Sequence, residues 1–259
     1  MFDFTGQVAL VTGAGNEAGI GFASARALAA QGATVILSDI SPKVNDRVEE
    51  LKALGGESAA FIGDLTDSGA VEKMARAVAD QYGKIDVLVN AAGWHIEGEP
   101  EDFSEFSKME ESMWWTLLDR NLKTAYNVTR YVLPHMRKRG YGRIVNISSV
   151  LGPVLGAAGD SAYCAGKAGI VGMSKAIAIE VAAEDITINS ILPGYIAVGS
   201  QPIEAYRAGL ETPAGRNGTP DEVGYTVCFF ASKEASYITG QTITIDGGCS
   251  IEMPFKAEG

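Results

Sequence analysis

The chain has 259 residues, of which 46% are hydrophobic and 20% charged, so it can bury a sizeable core and is not a disordered composition. Its formal net charge of -11 argues against binding nucleic acid through the phosphate backbone, though not against a single nucleotide, which needs only a local site. The three cysteines, Cys164, Cys228 and Cys249, form no metal spacing and no disulfide framework. With only His95 and His135 present, no histidine-based zinc site is visible and no metal is expected. The N-terminus lacks a basic region and a signal-type apolar run, and no apolar stretch reaches membrane-spanning length without Gly, Pro or charge breaks. A soluble, cytoplasmic protein without a membrane partner is expected.

Strand and helix patterns then alternate along the chain. Residues 7–12 (QVALVT) read as a buried parallel strand, followed by a glycine-rich turn from Gly13 to Gly21 and a helical pattern to Gly32. A second apolar run, 33–38, closes on Asp39. Ser41-Pro42 predicts a helix opening, with Ser as N-cap and Pro in the first position, running to Leu54. Residues 59–62 form a weaker strand, then Asp67 or Ser68 caps a helix to Tyr82, ended by Gly83. Residues 85–89 predict a fourth strand. The acidic stretch 97–113 reads as a loop with a short helix, and 114–139 as one long helix disturbed near Pro134. Residues 143–147 predict strand five, 162–183 a helix, and 186–192 strand six. An irregular segment over 195–218 precedes the cap Thr219-Pro220-Asp221-Glu222 of another helix, and 241–245 predicts the last strand. This order predicts an α/β fold: a doubly wound parallel sheet of about seven strands, helices on both faces, as one domain over 1–259. The 162–183 helix is apolar around most of its circumference, more than one sheet can cover, so a homo-oligomer, dimer or tetramer, is expected through the 114–139 and 162–183 helices.

Two constellations carry chemistry. The glycine-rich turn follows a strand and opens a helix, where free N–H groups and the positive dipole end suit a pyrophosphate. Asp39, at the end of the next strand, can accept both hydrogen bonds of an adenosine ribose and would repel a 2′-phosphate, and Ile40 brings no cation; NAD is expected over NADP. Further on, Tyr163 and Lys167 stand four residues apart on one helix face. A tyrosine hydroxyl is a poor base near neutral pH. An ammonium roughly 4 Å away favours its phenolate by about 4 kcal/mol at an effective dielectric of 20, roughly three pKa units, so the pair can exchange protons near pH 7.

With Thr12-Gly13…Gly19-Ile20-Gly21, Asn90-Ala91-Ala92-Gly93, Asn121, Ser149 in Asn-Ile-Ser-Ser-Val, Tyr163-x-x-x-Lys167 and Pro193-Gly194 in that order, the chain resembles a classical short-chain dehydrogenase/reductase over nearly its whole length. The resemblance implies a Rossmann fold and a catalytic set of Asn121, Ser149, Tyr163 and Lys167. In that set Tyr163 exchanges the proton with the substrate oxygen, and Lys167 lowers the tyrosine pKa and holds the nicotinamide ribose. Ser149 polarises the substrate oxygen, and Asn121 supports a water that relays the proton. Gly13, Asn16, Ile20, Asp39, Asp64, Leu65, Asn90, Tyr163, Lys167 and Ile196 are implied to bind the cofactor, with Asp64 and Leu65 at the adenine. Ser148 is the rival of Ser149, with a buried, hydrogen-bonded hydroxyl as its alternative role. Trp94, His95 and Tyr195 are candidate substrate contacts, and 195–218 a short lid. The chain departs from the family in a glycine loop two residues longer, in about one extra residue between Ser149 and Tyr163, and in Val198 where a threonine often binds the carboxamide.

The expected activity is hydride transfer between NAD(H) and a secondary alcohol or ketone, a small-molecule substrate. Steroid, sugar or polyol, and cyclic or aryl alcohols stay open. Two other readings compete: a non-catalytic NAD-binding redox sensor, which has no need of Tyr163, and an NADP-dependent 3-oxoacyl carrier ketoreductase, against which Asp39 and the acidic 97–113 stretch speak.

Overall fold

The computed structural model describes residues 2–93 and 103–252. Seven strands form one parallel sheet: β1 (Val8–Thr12), β2 (Thr34–Asp39), β3 (Ser58–Ile62), β4 (Val87–Asn90), β5 (Gly142–Ile147), β6 (Ile186–Pro193) and β7 (Thr242–Ile245). Their order is β3-β2-β1-β4-β5-β6-β7, so the sheet is doubly wound as expected, and the order reverses between β1 and β4. At such a switch point the loops leaving two neighbouring strands diverge, which opens a crevice beyond their C-terminal ends.

Alternation along the strands sorts the core into two layers. Ala9 and Val11 of β1 pack with Phe22, Leu28, Val48, Val223 and Phe230, from α1 (Ile20–Ala29), α2 (Val44–Ala53) and α8 (Pro220–Ala231). Val8 and Leu10 face the other way. They join Val71, Val78, Val128, Val132 and Val181, from α3 (Ser68–Tyr82), α5 (Thr124–Arg139) and α6 (Ser161–Val181). Each such fully buried aliphatic or aromatic side chain contributes about 1.5–3 kcal/mol relative to exposure.

Local signals explain most boundaries. Asp67 accepts from the Gly69 and Ala70 N–H groups at the start of α3, and Gly83 ends that helix at φ 75°. Thr219 and Glu222 form a capping box on α8, with Pro220 in the first turn. Ser41 caps the turn into α2 as expected: its hydroxyl accepts from the Lys43 N–H at 3.3 Å, its carbonyl accepts from the Val44 N–H at 3.2 Å, and regular helix begins at Val44. Two expectations are corrected. The expected 114–139 helix is two helices, α4 (Glu111–Leu118) and α5, joined by a wider π turn at Asp119–Lys123, while Pro134 lies inside α5. The irregular 195–218 segment contains a helix, α7 (Ile203–Leu210). Residues 94–102 lie outside the described residues, so of the expected acidic loop only 103–110 is described, ahead of α4. Among the described residues, no helix is long and apolar enough to cross a membrane.

Candidate active site

The crevice between β1 and β4 is closed at its floor by backbone. Gly13 leaves β1 at φ 66°, and a Cβ there would stand 2.7 Å from the backbone of Ala91, so only glycine fits. Thr12 ties the same two strand ends together: its hydroxyl accepts from the Ala91 and Ala92 N–H groups at 3.1 and 3.2 Å. The two extra residues of the glycine loop are taken up in a tight turn. The Asn16 carbonyl accepts from the Gly19 N–H at 3.0 Å, and its side-chain oxygen accepts from the Ala18 N–H at 3.0 Å. Asn16 and Glu17 are therefore exposed, and Glu17 points outward. Gly19 is the N-cap of α1, with Ile20 its first residue, so the helix start lies at the crevice.

Asp39 lies at the end of β2, where its carboxylate accepts from the Gly15 N–H and the Ser41 N–H, both at 2.8 Å. The carboxylate is thus fixed against the glycine loop. Asp64 accepts from the Thr66 N–H and hydroxyl at 2.8 Å, and Leu65 is buried. Both line a cavity of about 170 Å³ with Ser38, Ile62 and Gly63, next to Asp39. Asn90 is brought to the sheet interior instead: its side-chain amide donates to Asn146 at 2.7 Å and to Thr129 at 3.0 Å, so its side chain is committed to joining β4, β5 and α5.

On the other side of the crevice stand the polar side chains of α6 and its neighbours. Ser149 and Tyr163 are hydrogen-bonded through their side chains. The Lys167 ammonium lies 5.5 Å from the centre of the Tyr163 ring and donates to the Ile147 carbonyl at 3.3 Å. Ser148 is turned away, as strand alternation requires; its buried hydroxyl donates to the Lys167 carbonyl at 2.8 Å. Asn121 falls within the π turn between α4 and α5 and donates to the Leu117 carbonyl at 3.0 Å. Gly93 stands between this asparagine and Lys167: a Cβ there would lie 3.2 Å from both Asn121 Oδ1 and Lys167 Nζ.

The electrostatics correct one expectation. Burial pushes the Tyr163 hydroxyl well above its ordinary value, against the hydrogen bond from Ser149, and the charge of Asp160 pushes the same way. Burial in turn pushes Lys167 down to about 8.

The lid segment is tied at its base. The Ala197 N–H donates to the Gly218 carbonyl at 2.8 Å, and the Gly218 N–H to the Tyr195 carbonyl at 2.9 Å. Asn217 donates to the Tyr206 carbonyl of α7 at 2.9 Å and accepts from Gln201 at 3.0 Å. Ile196 is buried in the core, and its carbonyl accepts from the Val198 N–H, the position where a family threonine is common. A cavity of about 590 Å³ is lined by Ala197 and Gly199 together with Asn16, Glu17 and Ala18 of the glycine loop, and Gly199 packs close to Asn16 and Ala18. Trp94 and His95 lie outside the described residues.

Two supporting residues escaped sequence reasoning. Asn146 links Asn90 to Ser174 of α6, by bonds of 2.7 and 2.8 Å. An asparagine at the same register in two apolar strands was the available signal. Asn127 of α5 donates to the Leu65 carbonyl at 2.8 Å and to the Thr66 carbonyl at 3.3 Å, holding the turn after β3. A polar residue among the apolar positions of α5 marks it, but its partner is far in sequence.

The family model described as Enoyl-(Acyl carrier protein) reductase matches residues 13–250. The 3-oxoacyl-[acyl-carrier-protein] reductase FabG of Thermotoga maritima is 40% identical over 251 residues, 95% of this chain and 98% of that protein. Nodulation protein G of Rhizobium sp. (strain N33) is 40% identical over 262 residues, 97% of this chain and 100% of that protein. Among solved structures, a Burkholderia xenovorans protein described as a short-chain dehydrogenase/reductase superposes with a TM-score of 0.90 at 33% identity, covering 98% of this chain and 100% of that one. An Agrobacterium tumefaciens protein described as a gluconate dehydrogenase gives 0.89 at 32% identity, covering 97% and 99%. With a family model, full-length relatives and the doubly wound sheet in agreement, the chain belongs to the short-chain dehydrogenase/reductase family of nicotinamide-dependent oxidoreductases.

Proposed function

We propose that the protein transfers hydride between NAD(H) and a ketone or secondary alcohol, with Tyr163 as the acid and base. The observation that carries this reading is the hydrogen-bonded Ser149–Tyr163 pair with the Lys167 ammonium held against the same ring. A carbonyl oxygen placed between the two hydroxyls receives two donors at once, which stabilises the charge that develops on it during reduction. When bound, the nicotinamide supplies the hydride in reduction and takes it up in oxidation. In reduction Tyr163 gives its proton to the substrate oxygen, and the buried Lys167 cation favours the phenolate left behind. Asn121, on the far side of Gly93 from the lysine, supports the water that returns a proton to the site.

The residues fit a dinucleotide. Gly13 and Gly19 keep side chains out of the loop that a pyrophosphate would approach, and the start of α1 offers its N–H groups. Asn16, Ile20 and the Ile196 backbone border that place, and Asn90 contributes by fixing the end of β4. The Asp39 carboxylate, fixed by two N–H groups, suits a ribose diol and disfavours a 2′-phosphate, which supports NAD over NADP. Asp64 and Leu65 would hold the adenine. Residues 195–218 act as the substrate lid, with Tyr195 at its hinge.

A second reading narrows the substrate to a 3-oxoacyl thioester, itself a ketone. What favours it is the 40% identity to a 3-oxoacyl-[acyl-carrier-protein] reductase over 95% of the chain. Absorbance at the nicotinamide band separates the readings. The enzyme is offered NADH or NADPH with a panel of 3-oxoacyl thioesters, cyclic and aryl ketones and ketoses, with Tyr163→Phe as control. Turnover by wild type and not by Tyr163→Phe supports hydride transfer. Equal inertness of both on the whole panel, with NADH still bound, would instead mark a sensor.

The outer face of α6 bears Ala165, Gly172, Ala176 and Ile179, all exposed in the single chain. Four small or apolar residues on one exposed face support a homo-oligomer through α6 and its neighbour α5. Light scattering on wild type and Ile179→Glu reads the assembly directly.

A further inference from the structure

The longer glycine loop presents Glu17 to the Arg47 guanidinium. Its turn carries Glu17 outward, 76% exposed, to within 3.9 Å of the Arg47 guanidinium on α2. Arg47 itself is only 12% exposed, and its guanidinium also pairs with Glu50. It lies 5.4 Å from the ring centre of Phe22, the third residue of α1, and its Nε is buried without a hydrogen-bond partner. The guanidinium is therefore fixed beside the start of α1, on the helix that follows β2 and Asp39. Asp39 accepts from the Gly15 N–H, two residues before Glu17, so Asp39 and Arg47 border the same loop. An arginine there is the side chain best suited to a phosphate, through paired N–H groups in a planar fork. Here two carboxylates occupy it instead.

We propose that Glu17 is a selectivity residue: together with Glu50 it holds Arg47 and so withholds a guanidinium beside the glycine loop from a 2′-phosphate, so that Glu17 and Asp39 both favour NAD over NADP. This role rests on the NAD preference proposed above and assigns part of it to the loop insertion. Asp39 repels the phosphate directly, while Glu17 acts through its partner. Glu17 is exposed and points away from the glycine-loop backbone, so its removal is expected to leave NAD binding in place.

Titration calorimetry with NADH and NADPH on the full chain tests this. Glu17→Gln is expected to tighten NADPH by roughly twofold to fivefold, the range open to one exposed charge contact, with NADH changed by less than that. The gain is expected to fade with added NaCl more steeply than wild-type NADPH binding does, because it comes from a newly available cation. In Glu17→Gln/Arg47→Met, whose methionine still covers Phe22, the gain is expected to vanish. Unchanged NADPH affinity in Glu17→Gln, or a gain that survives loss of Arg47, overturns the proposal. If the double variant does not fold, the salt dependence of the single variant decides: a gain that does not fade with NaCl overturns the proposal equally. A wild type that prefers NADPH would instead overturn the NAD reading, which is a separate outcome from the shift between variants.

Discussion

At the β1–α1 turn the chain brings backbone to the crevice, whereas at the start of α6 it brings side chains. On the first side Gly13 and Gly21 allow strand, loop and helix to touch, and the one side chain of consequence, Asp39, is fixed by backbone N–H groups. On the second side Ser149, Tyr163 and Lys167 are packed against one another, and burial shifts both titrating groups. The first arrangement binds by shape and dipole, and a wrong atom there acts sterically. The second acts through protons, and a wrong atom there acts on rate. The two halves should therefore fail differently when broken.

The largest effect is expected from Tyr163→Phe, which removes the acid but keeps the ring over which Lys167 sits. The kcat should fall about 10³-fold or more, the upper part of the range for a lost general acid, while NADH affinity and melting temperature stay close to wild type. Rapid-mixing kinetics with a turned-over ketone checks both. The counterpart in the binding half is Gly21→Ala, whose Cβ would fall inside the van der Waals shell of the Gly13 carbonyl oxygen. Loop and helix must separate to admit it. A stability loss of about 3 kcal/mol and loss of detectable NADH binding are expected in urea titration and calorimetry. If Gly21→Ala lowered kcat but kept NADH affinity, the division between the halves would be wrong.

How far the sequence told the two halves apart follows from the same physics. The sheet, its double winding, both ends of α3 and the start of α8 were legible, because apolar runs, caps and terminal glycines act within a few residues of one another. The Ser149 and Tyr163 pairing was legible only through order along the chain, since the two are 14 positions apart and meet in the fold. The π turn at Asp119–Lys123 was not legible. Pro134 was the visible breaker, yet its missing N–H and ring are accommodated within α5, and the helix widens instead where Asn121 and Leu122 pack against Gly166 and Gly169. The sign of the Tyr163 shift was also beyond the sequence. Spacing puts a lysine near a tyrosine, but only the fold says how deeply the hydroxyl is buried.

The buried lysine gives the catalytic half a pH signature that the binding half lacks. The folded pKa of Lys167 is about 8, against an ordinary 10.5. Between those values the unfolded chain holds a proton that the folded chain has released, so stability rises with pH across that window and is lowest below it. The raised Tyr163 works in the opposite sense only above pH 10, where the unfolded tyrosine ionises and the folded one does not. Urea midpoints from pH 7 to 9.5 should therefore rise, by an amount worth at most about 3 kcal/mol, and Lys167→Met should abolish the rise. A slope unchanged in Lys167→Met would mean that the ammonium is better solvated than its surroundings imply.

The smallest effect sharpens the boundary between the halves, because Asn127 touches both. It belongs to α5, which packs beneath the catalytic strand, yet its amide holds the carbonyls of Leu65 and Thr66 at the proposed adenine side. Asn127→Ala leaves a buried Leu65 carbonyl without its donor, which costs about 1–2 kcal/mol of stability. The turn carrying Asp64 and Leu65 then loses its anchor, while the Ser149–Tyr163 contact is untouched. A division of labour between the halves requires KM for NADH to rise a few-fold with kcat unchanged. A fall in kcat at constant KM would show that α5 transmits strain into the proton-transfer site, and the two halves would then have to be treated as one.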